Sequence, residues 1–120
     1  MWFKPTSAQA WVEIPFTVEQ EITGEFWLKM LHSWDYGTYR VKLDDRELGT
    51  FDLWNADIQP RSHKLGPQTL SPGPHTLRFE CTGKSDRSRG FFLGFDALMV
   101  RTPVYTRPPG FDLRKIQVNR

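Results

Sequence analysis

Apolar and polar residues alternate with period two along most of this chain, which predicts half-buried β-strands. In "WVEIPFTV" (11–18), Val12, Ile14, Phe16 and Val18 fall on one side, and Trp11, Glu13, Pro15 and Thr17 on the other. "EFWLKMLHS" (25–33) sets Phe26, Leu28 and Met30 against Trp27 and Leu31. "TYRVKL" (38–43), "LGTFDLW" (48–54), the weaker "HKLGPQTL" (63–70) and "HTLRFECTG" (75–83) continue the series. "FFLGFDALMVR" (91–101) is a long apolar run and reads as a central strand covered on both faces. No window of a dozen residues carries a capped helical stripe. Short strands punctuated by Gly, Pro and Asp predict an all-β fold, an antiparallel β-sandwich spanning residues 1–101. From Thr102, "TPVYTRPPGFDLRKIQVNR" changes character, because its prolines oppose regular pairing. Residues 102–120 are expected to form an extended C-terminal tail or linker, with Phe111, Leu113 and Ile116 available to pack back onto the body.

Antiparallel strands alternate in direction, so successive loops alternate between the two ends of the sandwich. One end then receives the loop at 19–24, "DDRE" (44–47) and "SPGP" (71–74), which are turn chemistry and little else. The other end collects "SWDYG" (33–37), "WNADIQPRSH" (54–63) and "GKSDRSRG" (83–90). Those longer loops carry rings, amides, carboxylates and guanidinium groups together. Sugars call for that mixture. The apolar C–H faces of a pyranose lie on Trp or Tyr, and its fixed hydroxyls pair with Asp, Asn and Arg. Aromatic platforms also lose little side-chain entropy on binding. The candidate ligand-binding residues are Trp34, Asp35, Tyr36, Trp54, Asn55, Asp57, Arg61, His63, Lys84, Arg87 and Arg89. Each also has a structural reading. The indoles can cap the core, Asp35 and Asp57 can cap loop amides, and Arg61 can staple its own loop through Asp57.

Composition narrows the function classes. At 120 residues, 38% hydrophobic and 25% charged, the chain fits one globular domain with a real core. Lys and Arg exceed Asp and Glu by only 16 to 14, and the short basic cluster at 84–89 is interrupted by Asp86, which argues against nucleic acid as a partner. No apolar stretch approaches the roughly 20 residues of a membrane span. "MWFKPTSAQA" lacks the apolar core of a signal peptide and reads as the start of a domain within a larger chain. Cys81 is the only cysteine and lies in a strand-like run, so it reads as a buried apolar residue without a disulfide.

Several segments resemble the carbohydrate-binding modules of the galactose-binding-like, jelly-roll kind. They are "WVEIPFTVEQEITGEFWLKM", the hairpin "YRVKLDDRELGTFDL" with Asp45 where Gly is usual, "LSPGPHTLRFECTG" and "LGFDALMV", in order over residues 11–101. "GKS…GFFLGFDAL" also resembles accessory sandwich domains of bacterial glycoside hydrolases. The resemblance implies a non-catalytic module of a larger secreted or periplasmic bacterial enzyme. Its partners would be a polysaccharide or oligosaccharide and the parent catalytic domain, and its site would lie in the loops at one end. Relatives often hold a structural calcium through an early Glu-x-Glu and the Asp of the last strand. Asp96 takes the latter position, but residues 2–10 contain no acid, so the sequence supplies half of that metal set. No other cofactor is implied.

Two rival functions remain. A glycosidase needs two carboxylates about 5–10 Å apart; Asp35, Asp57 and Asp86 qualify by type, yet nothing marks one as the acid. His32, His63 and His75 lack metal-ligand spacing, and no catalytic residue is expected. A structural or oligomerisation domain would use the same aromatics as interface anchors against a catalytic partner, without binding glycan itself. The basic residues Arg61, Lys84, Arg87 and Arg89 favour an anionic glycan.

Overall fold

The alternating runs become strands whose apolar sides close on one another. The computed structural model describes residues 1–101, 110–111 and 116–119. Its strands are β1 (Trp2–Phe3), β2 (Trp11–Val18), β3 (Ile22–His32), β4 (Thr38–Leu43), β5 (Arg46–Asp52), β6 (Gln59–Leu70), β7 (Gly73–Gly83), β8 (Leu93–Arg101), β9 (Gly110–Phe111) and β10 (Gln117–Asn119). One sheet runs β1-β8-β3-β6, and the other runs β10-β2-β7-β4-β5 with β9 also on β2. Every pairing between these strands is antiparallel. The all-β sandwich expected from the pattern is therefore what forms.

The core lies between the sheets. Phe26, Leu28, Met30, Phe95 and Leu98 face Val12, Ile14, Tyr39, Val41, Leu43, Leu77 and Phe79, all buried. Phe79 and Phe95 meet across the sheets with ring centroids 5.3 Å apart. Cys81 is buried and free, and burial pushes its thiol pKa up. Tyr39 is fully buried yet keeps a polar handle, since its hydroxyl donates to the Phe91 carbonyl at 2.5 Å. That bond ties β4 to the segment entering β8. Tyr39→Phe is expected to cost about 1–2 kcal/mol in urea denaturation, because it leaves the Phe91 carbonyl without this donor.

The hairpin between β4 and β5 turns on Asp44 and Asp45, both left-handed at φ 49° and 67°. Two such residues match a two-residue type I′ turn. Asp44 is held there because its carboxylate accepts from the Thr76 N–H at 2.8 Å and from His75 Nδ1 at 2.5 Å.

Three details differ from the sequence reading. β6 begins at Gln59, not at 63, so the loop before it is shorter and Arg61 and His63 stand on a strand. β6 is an edge strand, which tolerates Pro60 and Pro67 and needs no apolar alternation at its exposed start. β8 is flanked by β1 and β3, yet it is not covered on both faces, since Asp96, Met99 and Val100 retain exposure. Asp96 is the extra residue where the β3–β8 register shifts, Lys29 facing Ala97 and Met30 facing Phe95. It is exposed and pairs with Lys29 at 3.4 Å, so it does not stand as a buried metal ligand. Of the expected tail, β9 and β10 pair with β2 and Ile116 packs against the core, whereas Leu113 and most residues past 101 lie outside the described residues.

Candidate functional site

The register fixes which loops meet. His32 faces Gln59, Thr38 faces both Asp52 and Gly83, and Leu31 faces Gly94. Loops 33–37, 53–58 and 84–92 therefore share one end. The connections at 19–21, 44–45 and 71–72 share the other, where Ile22 faces Leu70 and Leu43 faces Arg46.

Loop 33–37 is the middle member of the cluster. Toward 53–58, the Ser33 N–H donates to Leu53 O at 3.0 Å and the Asn55 N–H to Ser33 O at 3.1 Å. Toward 84–92, the Arg89 N–H donates to Trp34 O at 2.9 Å, Phe92 N–H to Asp35 O at 3.1 Å and Gly37 N–H to Phe92 O at 3.0 Å. The backbones approach so closely that a Cβ on Gly90 would sit 2.9 Å from Asp35 O, and one on Gly37 3.0 Å from Gly83 O. Ser88 is the hub. It is 5% exposed, and its hydroxyl donates to Tyr36 O at 2.6 Å, with Gly90 O at 3.0 Å and Trp34 O at 3.2 Å also in reach. It accepts from the Gly90 N–H at 3.3 Å.

The candidates separate into three groups. Trp34 stands at the rim with 42% of its surface exposed, although its backbone is locked. Trp54 is half-buried, and the Arg87 guanidinium lies 5.3 Å from its ring centre, bridging two loops. The Trp54 indole N–H is buried with no acceptor among the described residues. Asn55, Asp57 and Arg61 form a second cluster: Asn55 Nδ2 donates to Asp57 O at 2.6 Å, and Arg61 donates to Asn55 Oδ1 at 3.0 Å. Arg61 thus staples the loop through Asn55, not through the Asp57 carboxylate. Lys84 donates to Ser88 O at 3.1 Å, while Arg87 and Arg89 are exposed. Asp35 is half-buried, and its carbonyl is committed to Phe92.

Tyr36 and His63 face inward. Tyr36 is 3% exposed, and its ring packs so tightly on Gly94 that a Cβ there would meet the hydroxyl at 2.8 Å. Burial, then the Asp35 charge, raises its pKa, and the nearby Trp2 side chain acts weakly in the opposite sense. Neither face of this ring is open to a ligand. His63 Nε2 lies 2.8 Å from His32 Nε2, and Phe51 packs on the His63 ring at 4.7 Å. Burial, then His63 and Arg61, lowers the His32 pKa to about 4; burial, then Arg61, lowers that of His63. Two neutral imidazoles therefore brace the base of the long-loop end at neutral pH.

Sequence reasoning missed Ser88, which looks like any solvated loop serine, and the His32–His63 pair, which joins residues 31 positions apart. It also passed over Trp2, which is 60% exposed with Lys4 lying 3.6 Å over its ring. No local signal marks any of these. Among the described residues no group of three or more His, Cys, Asp or Glu is arranged to hold a metal ion.

Among the described residues, the charges on the outer face of the six-stranded sheet largely satisfy one another. Arg78 pairs with Glu13 and with Glu80, and Lys42 and Arg40 reach Glu80 at 3.3 and 3.5 Å.

No protein-family model matches this sequence, and no curated protein matches it. Among solved structures, the chain is similar to part of a xanthan lyase from Paenibacillus, with a TM-score of 0.72 and 22% identity. The match covers 82% of this chain and 10% of that one, so this chain spans about a tenth of that enzyme's length. The likeness shows a β-sandwich shared with a domain of a polysaccharide-acting enzyme.

Proposed function

We propose that this chain is a non-catalytic polysaccharide-binding domain that keeps a larger bacterial enzyme, secreted or periplasmic, on its substrate. The observation that carries the reading is the rim at the long-loop end. There a rigidly held loop presents Trp34 to solvent, beside a Trp54–Arg87 pair and the Asn55–Arg61 cluster. An exposed ring on a locked backbone offers an apolar face at small entropic cost. Arg87, Arg89, Arg61 and Lys84 supply cationic donors around it, which favours an anionic glycan. The sandwich shared with a polysaccharide-acting enzyme supports the same assignment.

Trp34→Ala is expected to weaken polysaccharide binding about tenfold, a change of about 1.4 kcal/mol, while leaving the melting temperature nearly unchanged. Calorimetric titration with xanthan, paired with a thermal melt, checks both parts. For an anionic ligand, affinity is also expected to fall as salt rises from low to physiological strength. A domain that self-associates and ignores every glycan would instead be an assembly module packing against its catalytic partner.

A further inference from the structure

The four-stranded sheet carries a second feature, away from the loops. Its outer face holds a concavity of about 340 Å³, lined by Trp27 of β3, Ser62 of β6, and Met99, Val100 and Arg101 of β8. The register explains the grouping, since Trp27 lies opposite Met99 on one side and Lys64 on the other. Trp27 and Met99 stay half-buried, so an indole face and a thioether form an apolar floor.

The surrounding charges are not equivalent. Lys64 is paired with Glu25 at 2.7 Å and Lys29 with Asp96 at 3.4 Å. Arg101 is exposed and has no ion pair among the described residues. The concavity thus offers one ring to stack on, one hydroxyl and one uncommitted guanidinium. A protein partner fits it poorly. Interface cores are depleted of charge and extend over about 800 Å² per partner, whereas two ion pairs interrupt this face. A pyranose bearing a carboxylate fits, with its C–H face on Trp27, its hydroxyls toward Ser62 and its carboxylate on Arg101.

We propose that this concavity is a second saccharide subsite, taking a uronate residue of the same polysaccharide that the loop rim holds. The inference rests on the carbohydrate reading above. His32, where the loops begin, lies five positions along β3 from Trp27, a span of roughly 16 Å. One polymer chain can therefore engage both places, and the second contact acts through effective concentration.

The test uses the whole chain and two uronate-bearing polymers, xanthan and polygalacturonate, with a neutral β-glucan for comparison. Trp27→Ala and Arg101→Gln are each expected to weaken binding to a uronate polymer about tenfold. Arg101→Gln alters only an exposed side chain, so it carries the test if Trp27→Ala fails to fold. If the wild-type chain binds a uronate polymer and Trp34→Ala weakens it while Arg101→Gln does not, this subsite is overturned and the loop site stands. If the wild-type chain binds only the neutral glucan, the uronate assignment is overturned. If it binds none of the three, this inference and the carbohydrate reading fall together.

Discussion

Replacing Ser88 by alanine is expected to lower stability by about 2 kcal/mol and to weaken polysaccharide binding well beyond tenfold. Alanine fills nearly the same space, so the loss comes from hydrogen bonding and not from a cavity. The hydroxyl sits among the carbonyls of Tyr36, Gly90 and Trp34 and accepts from the Gly90 N–H, in a pocket closed to water. Removing it strands buried polar groups, the expensive direction of hydrogen-bond loss. Those groups belong to the two loops that hold Trp34 and Arg87. The variant should therefore lose ligand affinity beyond what removing Trp34 alone would cause, since both halves of the rim shift. Urea midpoints and calorimetric titrations read the two effects separately. A Ser88→Ala chain that is less stable but binds with full affinity would show that the rim does not depend on this hub.

Acidification is expected to produce the other large effect. The folded chain resists protonating His32, holding its pKa near 4 against an ordinary 6.5, because burial, the facing His63 and the nearby Arg61 all oppose the charge. The Trp54 backbone and Asp52 act in the opposite sense and only partly compensate. Between pH 6.5 and 4 the unfolded chain therefore binds a proton that the folded chain refuses. This contribution is complete above pH 6.5 and falls across that window, by up to about 3 kcal/mol from His32, with His63 adding in the same direction. His75 behaves oppositely. Burial lowers its pKa, but the Asp44 carboxylate and the Ser71 carbonyl outweigh burial and raise it, so its contribution is present at low pH and lost as pH rises. Urea melts at pH 7.5 and 4.5 should show a marked loss in the wild type and a much smaller one in His32→Gln. Equal losses in both chains would assign the acid sensitivity elsewhere. Ligand binding should weaken over the same window, since His32 immediately precedes loop 33–37 and His63 faces it from β6.

The strands were legible because each buries one face, and burial imposes a period that survives in the local sequence. Val12, Ile14, Phe16 and Val18 are all buried, as are Leu77, Phe79 and Cys81 on the neighbouring strand. The convergence of the long loops followed from counting reversals, and the pairing of His32 with Gln59 and of Thr38 with Gly83 places them as counted. What the pattern did not contain was set by partners far along the chain. β6 needs no alternation at its exposed start because it is an edge, so residues 59–62 looked like loop. Asp96 sits in a run of apolar residues, yet a bulge against β3 turns it outward to Lys29. Trp34 and Tyr36 are two residues apart in one loop, and only the tertiary fold decides that one ring meets water and the other packs on Gly94. The convergence of the long loops was thus legible, but not the sorting of their rings into exposed and buried.

The five tryptophans give the account its most direct test, since each indole N–H has its own resonance in a proton–nitrogen spectrum. Trp11 is the internal control: it lies on β2 with its ring covered by Arg78 of the neighbouring strand at 4.3 Å, outside the three loops. Short saccharide fragments of xanthan should move the Trp34 and Trp54 indole signals in a saturable way and leave that of Trp11 in place. If the Trp34 and Trp54 signals stay fixed while the fragments bind, or if no indole responds to any saccharide, the rim of loops is not a sugar platform.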